Sequence, residues 1–225
     1  IRQSLVGSEM CIRDRFTMPF LVDELFELFD LNPRKYFNYK KKEIHCKYFW
    51  DDKTKFTAYS NNKKFLKEVK NKFQVDEFVV NKYLKKAKIK YDLTEKIYLK
   101  KSIHKFSSFL NIETIKALFN LNIFQINRTL NQVNSDELKN KYLIQIFDRY
   151  ATYNGSSPYK TPGMMTLIQH LENHFGTFIP EGGMYEITKA LFNLAKDVGV
   201  KFHFECNVDE IILEKNVAKK IRVNN

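Results

Sequence analysis

At Asn61 the hydrophobic period of the chain changes from about two to about 3.6, and this restricts the fold to one that joins paired strands to amphipathic helices. Phe65, Val69 and Phe73 fall four apart, and Val80, Tyr83, Leu84, Ala87 and Tyr91 continue on one face. Residues 61–103 are therefore expected to form two helices with their lysines turned outward. Just before them, 42–50 and 55–60 read as strands joined by Asp51-Asp52-Lys53, a short hairpin loop. Earlier still, Pro19 and the spacing of Phe20, Leu21, Leu25, Leu28 and Phe29 predict a helix that Asn32-Pro33 ends.

The lysine face carries most of the net charge. The chain has a formal charge of +12, and residues 61–105 hold fourteen lysines against five acids. Such a face attracts phosphates or anionic lipid headgroups, although a solvated helix surface has the same composition. All fourteen cations are lysine, without the arginine and interleaved aromatics expected of base readout, so nucleic acid is not the expected partner. Cys11, Cys46 and Cys206 form no CxxC pair, which argues against a disulfide framework or a zinc ribbon and for a reducing cytoplasm. No apolar run reaches 18 residues. The opening IRQSLVGSEMCIRDR lacks the apolar region of a signal peptide and resembles a translated linker, so 1–15 is set aside as non-native.

Further helices are expected at 111–119, 124–133, 135–146 and 164–175, then a short strand at 177–179 and a tight turn at Pro180-Glu181-Gly182-Gly183. Met184, Ile187, Leu191, Leu194 and Ala195 line a helix that Gly199 ends, and 200–205, 208–213 and 217–223 alternate as strands. Turn, helix and strand in succession make most of one α/β unit.

Two constellations carry possible chemistry. His170 and His174 are four apart, as metal ligands on one helix face would be, but HLENH lacks the glutamate directly after the first histidine and a third ligand, so an ordinary helix face is expected and no metal. His45, His104 and His203 are isolated and read as structural. The second constellation is FDRYATYNGSSPYKTPG, residues 147–163. Here Asp148 and Arg149 follow an apolar run, and partly buried charges need partners: each other, helix ends or a substrate. Gly155 can take φ > 0 and turn the backbone so that Tyr150, Tyr153 and Tyr159 surround it. Their flat apolar faces with polar edges suit a long apolar ligand with a hydroxyl end, and three core tyrosines would read alike.

That phrase, followed by an apolar helix and FIPEGGMYEITKAL, resembles the FAD-dependent carotenoid desaturases of the phytoene dehydrogenase family. RYATY, a small-residue turn and SPY look most like its 1-hydroxycarotenoid 3,4-desaturase branch. FTMPF with VDELFEL is similar to the segment following the family's N-terminal flavin part, and GGMYEITKALFNLAKDVGVKFHFECNVDEI to its return into the flavin domain. The resemblance implies an α/β fold: a mixed α+β substrate domain over 16–178 and an incomplete Rossmann-like FAD-binding domain of the flavin amine oxidase type over 179–225. No GxGxxG occurs in the chain, so it is expected to be an internal fragment that by itself binds FAD poorly.

By the same resemblance, the parent enzyme moves a hydride from an acyclic, 1-hydroxylated carotenoid to FAD. Asp148 and Arg149 are then expected near the reacting end, Tyr150, Tyr153, Asn154 and Tyr159 along the substrate passage, and Gly182, Gly183 and Val208 at the cofactor, Val208 through its backbone. A cytoplasmic enzyme meeting its substrate peripherally at a membrane would give the lysine face a use. The rival expectations are a phytoene desaturase or other carotenoid- or retinoid-processing relative, and a non-catalytic basic module that binds RNA or a membrane.

Overall fold

The computed structural model describes residues 16–95 and 121–224. The segment 1–15, residues 96–103 of the second expected helix and the helix expected at 111–119 lie outside the described residues.

Helix α1 (Phe20–Glu27) follows Pro19 and buries Phe26. Asn32 caps the short 3-10 turn Pro33–Lys35 by accepting from the Arg34 amide, and β1 (Tyr39–Lys41) comes next. Strands β2 (Ile44–Phe49) and β3 (Lys55–Tyr59) form the expected antiparallel hairpin, with Tyr48 opposite Phe56. At Asn61 the chain enters α2 (Asn62–Phe73) and then α3 (Glu77–Thr94). Each start is fixed by a side chain that takes an otherwise unpaired helix amide: Asn61 accepts from Lys64, and Asp76 from Phe78. Phe65, Leu66, Val69 and Phe73 of α2 are buried, as their spacing predicts.

One lysine departs from the outward pattern. Lys90 is 2% exposed, and its Nζ donates to Gln125 Oε1 and Thr166 Oγ1, each at 2.7 Å. Burial lowers its pKa to about 8.

After α4 (Leu121–Phe124) come α5 (Leu130–Leu138) and α6 (Lys141–Asp148), not helices at 124–133 and 135–146. The boundaries are set by caps rather than by apolar spacing. Thr129 and Gln132 form a reciprocal capping box, and Asn140 accepts from the amides of Tyr142 and Leu143. The segment expected as one helix over 164–175 changes pitch as it runs: 3-10 over Gly163–Leu167, α-helical in α7 (Ile168–His170), then π over Leu171–Phe175. Strand β4 (Phe178–Pro180) pairs antiparallel with β1, and α8 (Tyr185–Asp197) follows the glycine turn.

Among the described residues, the apolar side chains gather into two main cores and a small cluster around Phe124. The larger gathers β3, α2, α3, α6 and Ile168 around Phe56, Phe65, Val69, Val80 and Phe147. Each such side chain, once fully buried, contributes about 1.5–3 kcal/mol. The smaller joins Phe16, Phe26 and Phe37 to Ala190 and Leu194 of α8, so the start of the described chain packs against that helix.

The last segment departs from expectation. Residues 200–205 form no strand, and among the described residues β5 (Asn207–Glu214) pairs only with β6 (Val217–Asn224). Alternation alone does not make a strand without a neighbour to take its hydrogen bonds. Ile211, Leu213 and Ile221 remain about 60% exposed. Helix and strand are thus mixed, the described residues forming three two-stranded antiparallel sheets, and the layering expected over 179–225 is not completed among them.

Candidate functional site

The site grows from the change of pitch at the end of α6. Leu143, Ile146 and Phe147 anchor that helix in the larger core, and from Arg149 to Asn154 the backbone tightens into a 3-10 turn, which Gly155 ends at φ +60°. A 3-10 turn advances side chains by a different angle from an α-helix, so neighbours in sequence face different ways.

Asp148 faces α5. Its carboxylate accepts from Asn131 Nδ2 at 2.6 Å and Asn134 Nδ2 at 2.7 Å, and the fully buried Asn134 accepts from Tyr83 at 2.6 Å. Arg149 faces the β2–β3 hairpin and the π-turn. Its Nε donates to Tyr48 Oη at 3.0 Å and its Nη2 to Glu172 Oε2 at 2.9 Å, while the guanidinium carbon lies 4.5 Å from the centre of the Tyr150 ring. Of the alternatives open to the pair, they do not bond to each other.

Glu172 collects the motif. It is 1% exposed, and its carboxylate accepts from Arg149, from Tyr150 Oη at 3.0 Å and from Tyr153 Oη at 2.5 Å. Arg149, Tyr150 and Tyr153, all expected from the sequence, therefore converge on a residue that the sequence did not single out. The π-turn places it there, since the wider turn projects Glu172 inward from a segment whose apolar spacing continues past it. A glutamate amid Leu167, Ile168, Leu171 and Phe175 was the available signal, masked by the histidines on either side.

Burial raises the Tyr150 hydroxyl well above its ordinary pKa, and the Glu172 charge acts in the same direction. Burial likewise pushes Tyr48 up to about 12. For Arg149, burial opposes the charge, but the Tyr150, Glu172 and Tyr48 oxygens outweigh it and raise the pKa above the ordinary value. At neutral pH Tyr48 and Tyr150 keep their protons and the guanidinium keeps its charge. Around them His45, Tyr48, Phe65 and Ile146 help enclose a void of about 10 Å³, room for roughly one water. A ligand must therefore reach Arg149 and Tyr153 at their exposed edges, where the Arg149 side chain is 22% exposed and Tyr153 is 38%.

The remaining expected residues lie apart from this network. Asn154 and Tyr159 are exposed and take no part in the Glu172 hydrogen bonds. Gly182 and Gly183 adopt φ of +88° and +98° in the turn before α8, and Val208 stands 55% exposed in β5. A Cβ at Gly183 would meet nothing within 4 Å, and the chain contains no glycine-rich phosphate turn. His170 and His174 stack with ring centres 4.5 Å apart, and among the described residues no group of three His, Cys, Asp or Glu could hold a metal ion.

No protein-family model matches the chain. It is 44% identical over 196 residues to the 1-hydroxycarotenoid 3,4-desaturase of Flavobacterium sp. (strain P99-3), a match covering 87% of this chain and 40% of that protein. It is 25% identical over 210 residues to the 4,4'-diapolycopene oxygenase of Methylomonas sp, covering 93% of this chain and 42% of that protein. It is 26% identical over 198 residues to the 4,4'-diaponeurosporene oxygenase of Staphylococcus aureus (strain NCTC 8325 / PS 47), covering 87% and 39%. The chain spans about two fifths of the length of these relatives.

Proposed function

We propose that this chain, a relative of the carotenoid desaturases along part of their length, supplies the substrate side of an oxidoreductase that introduces a double bond into an acyclic 1-hydroxylated carotenoid. The observation that carries the reading is the convergence of Arg149, Tyr150 and Tyr153 at one buried carboxylate, with exposed edges left for a ligand. The Tyr153 edge offers an apolar surface to a polyene, and the guanidinium offers hydrogen-bond donors to a terminal hydroxyl. Asp148, already holding two amides, steadies α6 against α5 and so backs Arg149 at the reacting end. Asn154 and Tyr159 extend the passage along the surface.

The redox chemistry belongs in this reading to FAD held by the whole protein, with Gly182, Gly183 and Val208 at the edge of a flavin domain that the described residues do not complete. The outward lysines of α2 and α3 suit peripheral contact with an anionic bilayer, each worth about 1 kcal/mol near such a surface. Among the described residues no helix is long and apolar enough to cross one. Flotation with liposomes of graded anionic-lipid content tests that contact.

The central test exchanges the matched segment of the Flavobacterium desaturase for that of this chain and analyses carotenoids in cells that accumulate a 1-hydroxylated substrate. A 3,4-desaturated product is expected, and its loss in the Arg149→Ala variant. A folded chimera that processes only phytoene or another unhydroxylated carotenoid would move the assignment to the neighbouring branch. One inert toward every carotenoid would overturn it.

A further inference from the structure

Among the described residues, the most enclosed charge outside the expected set is Glu172, on the π-turn, and three donors from the 3-10 turn that follows α6 converge on it. Resting on the reading above, we infer that Glu172 is a positioning residue that sets preference for a hydroxylated over a hydrocarbon chain end. Its Oε2 receives both Arg149 and Tyr150, and Oε1 receives Tyr153, so a single carboxylate fixes the relative placement of all three. Tyr48 holds Nε from the other side and the Tyr150 ring lies against the guanidinium face. With Nε and Nη2 so engaged, Nη1 has no hydrogen bond to any described residue, and it is the edge left to donate outward.

The charge of Glu172 matters as much as its geometry. A lone guanidinium beside an apolar polyene would keep water bound to it and tolerate any polar end. Paired with Glu172, it presents oriented donors at a neutral site, where a terminal hydroxyl satisfies Nη1 and a methyl group leaves it bare. A site built to hydrogen-bond one hydroxyl discriminates against the analogue that lacks it because its own donor is then unpaired. Glu172→Gln keeps an acceptor and nearly the same shape while removing the charge, and Glu172→Asp keeps the charge on a stem one methylene too short to reach all three donors.

The test uses the full-length chimera, with each variant presented separately with a 1-hydroxylated acyclic carotenoid and its unhydroxylated counterpart. Expected for Glu172→Gln is a loss of at least tenfold in kcat/KM on the hydroxylated substrate, a smaller loss on the hydrocarbon, and partial recovery of the ratio in Glu172→Asp. Equal losses on both substrates would indicate a purely structural role and overturn the inference. Because Glu172→Gln could fail to fold in the chimera, the 225-residue chain supplies a second measurement. There the Arg149 Nε–H signal should exchange with solvent at least tenfold faster in Glu172→Gln, and an unchanged rate would equally count against positioning. If Arg149→Ala is itself silent in the chimera, the proposed function fails. If Arg149→Ala is impaired while Glu172→Gln keeps its selectivity, this inference alone fails.

Discussion

Asp148 and Arg149 are consecutive in the chain, yet they serve separate networks: the carboxylate is held by Asn131 and Asn134 of α5, the guanidinium by Tyr48 of β2 and Glu172 of the π-turn. The pair is a hinge point between two packing directions. Asp148→Ala is expected to leave the amides of Asn131 and the fully buried Asn134 unsatisfied and to cost roughly 1–3 kcal/mol. Urea unfolding of the 225-residue chain checks this, and a change below about 0.5 kcal/mol would show the α5–α6 contact to be held by apolar packing instead.

The Arg149–Glu172 pair predicts strong non-additivity. Removing the cation alone, in Arg149→Leu, leaves a 1% exposed carboxylate with tyrosine donors but no counter-charge, at a cost of about 3–5 kcal/mol. Removing both, in Arg149→Leu with Glu172→Leu, takes the charges out together and should recover at least half of that loss. The double-mutant cycle reads the coupling directly, and additive losses would mean that the carboxylate is stabilised by Tyr150 and Tyr153 without Arg149.

Much of the fold around this pair was legible in the sequence because burial sets a periodicity: α2 follows from the spacing of Phe65, Val69 and Phe73, most of α3 from Val80, Tyr83, Ala87 and Tyr91, α8 from Ile187, Leu191 and Leu194, and the β2–β3 hairpin from the two runs flanking Asp51-Asp52-Lys53. The helices between 121 and 148 were displaced because apolar spacing continues through Thr129 and Asn140, where side-chain caps restart the helix. In the site, the clustering of Arg149 with Tyr150 and Tyr153 was readable from one phrase. Glu172 was not, since its role depends on a π-turn and on contacts 19 to 23 residues away in sequence. Lys90 was hidden in the same manner among outward-facing lysines, its partners Gln125 and Thr166 being distant in sequence.

The two glycines that bracket the motif should respond oppositely to substitution. At Gly163 an added Cβ would lie 2.7 Å from Val133 Cγ2 and 2.9 Å from the Gln125 carbonyl oxygen, so Gly163→Ala forces a backbone against which α5 is packed. A loss of about 1–3 kcal/mol is expected from overpacking. At Gly155 the backbone sits at φ +60° with nothing within 4 Å, so the constraint is conformational and not steric. Asparagine tolerates that region, and Gly155→Asn should stay within about 1 kcal/mol of the parent, while a β-branched Gly155→Val should cost more. Thermal unfolding of the three variants checks the order, and equal effects of Gly163→Ala and Gly155→Asn would contradict the packing at Gly163.

Acid stability should be governed in part by His170. The ring is 6% exposed, stacked on His174 and close to Tyr91, and burial together with the neighbouring His174 lowers its pKa from 6.5 to about 4, with Lys88 acting in the same direction and Asp92 against it. Above pH 6.5 both folded and unfolded chains hold a neutral ring, and the group leaves stability unchanged. Between about 6.5 and 4 the unfolded chain takes up a proton that the folded chain refuses, so stability falls as pH falls and the loss is complete below about 4. The difference between 6.5 and about 4 sets an upper bound of about 3–4 kcal/mol on this contribution. His170→Phe keeps an aromatic ring against Tyr91 and removes the titration, so its unfolding free energy should lose this part of the slope between pH 6.5 and 4 in urea titrations. Parallel curves for parent and variant would place the acid sensitivity elsewhere.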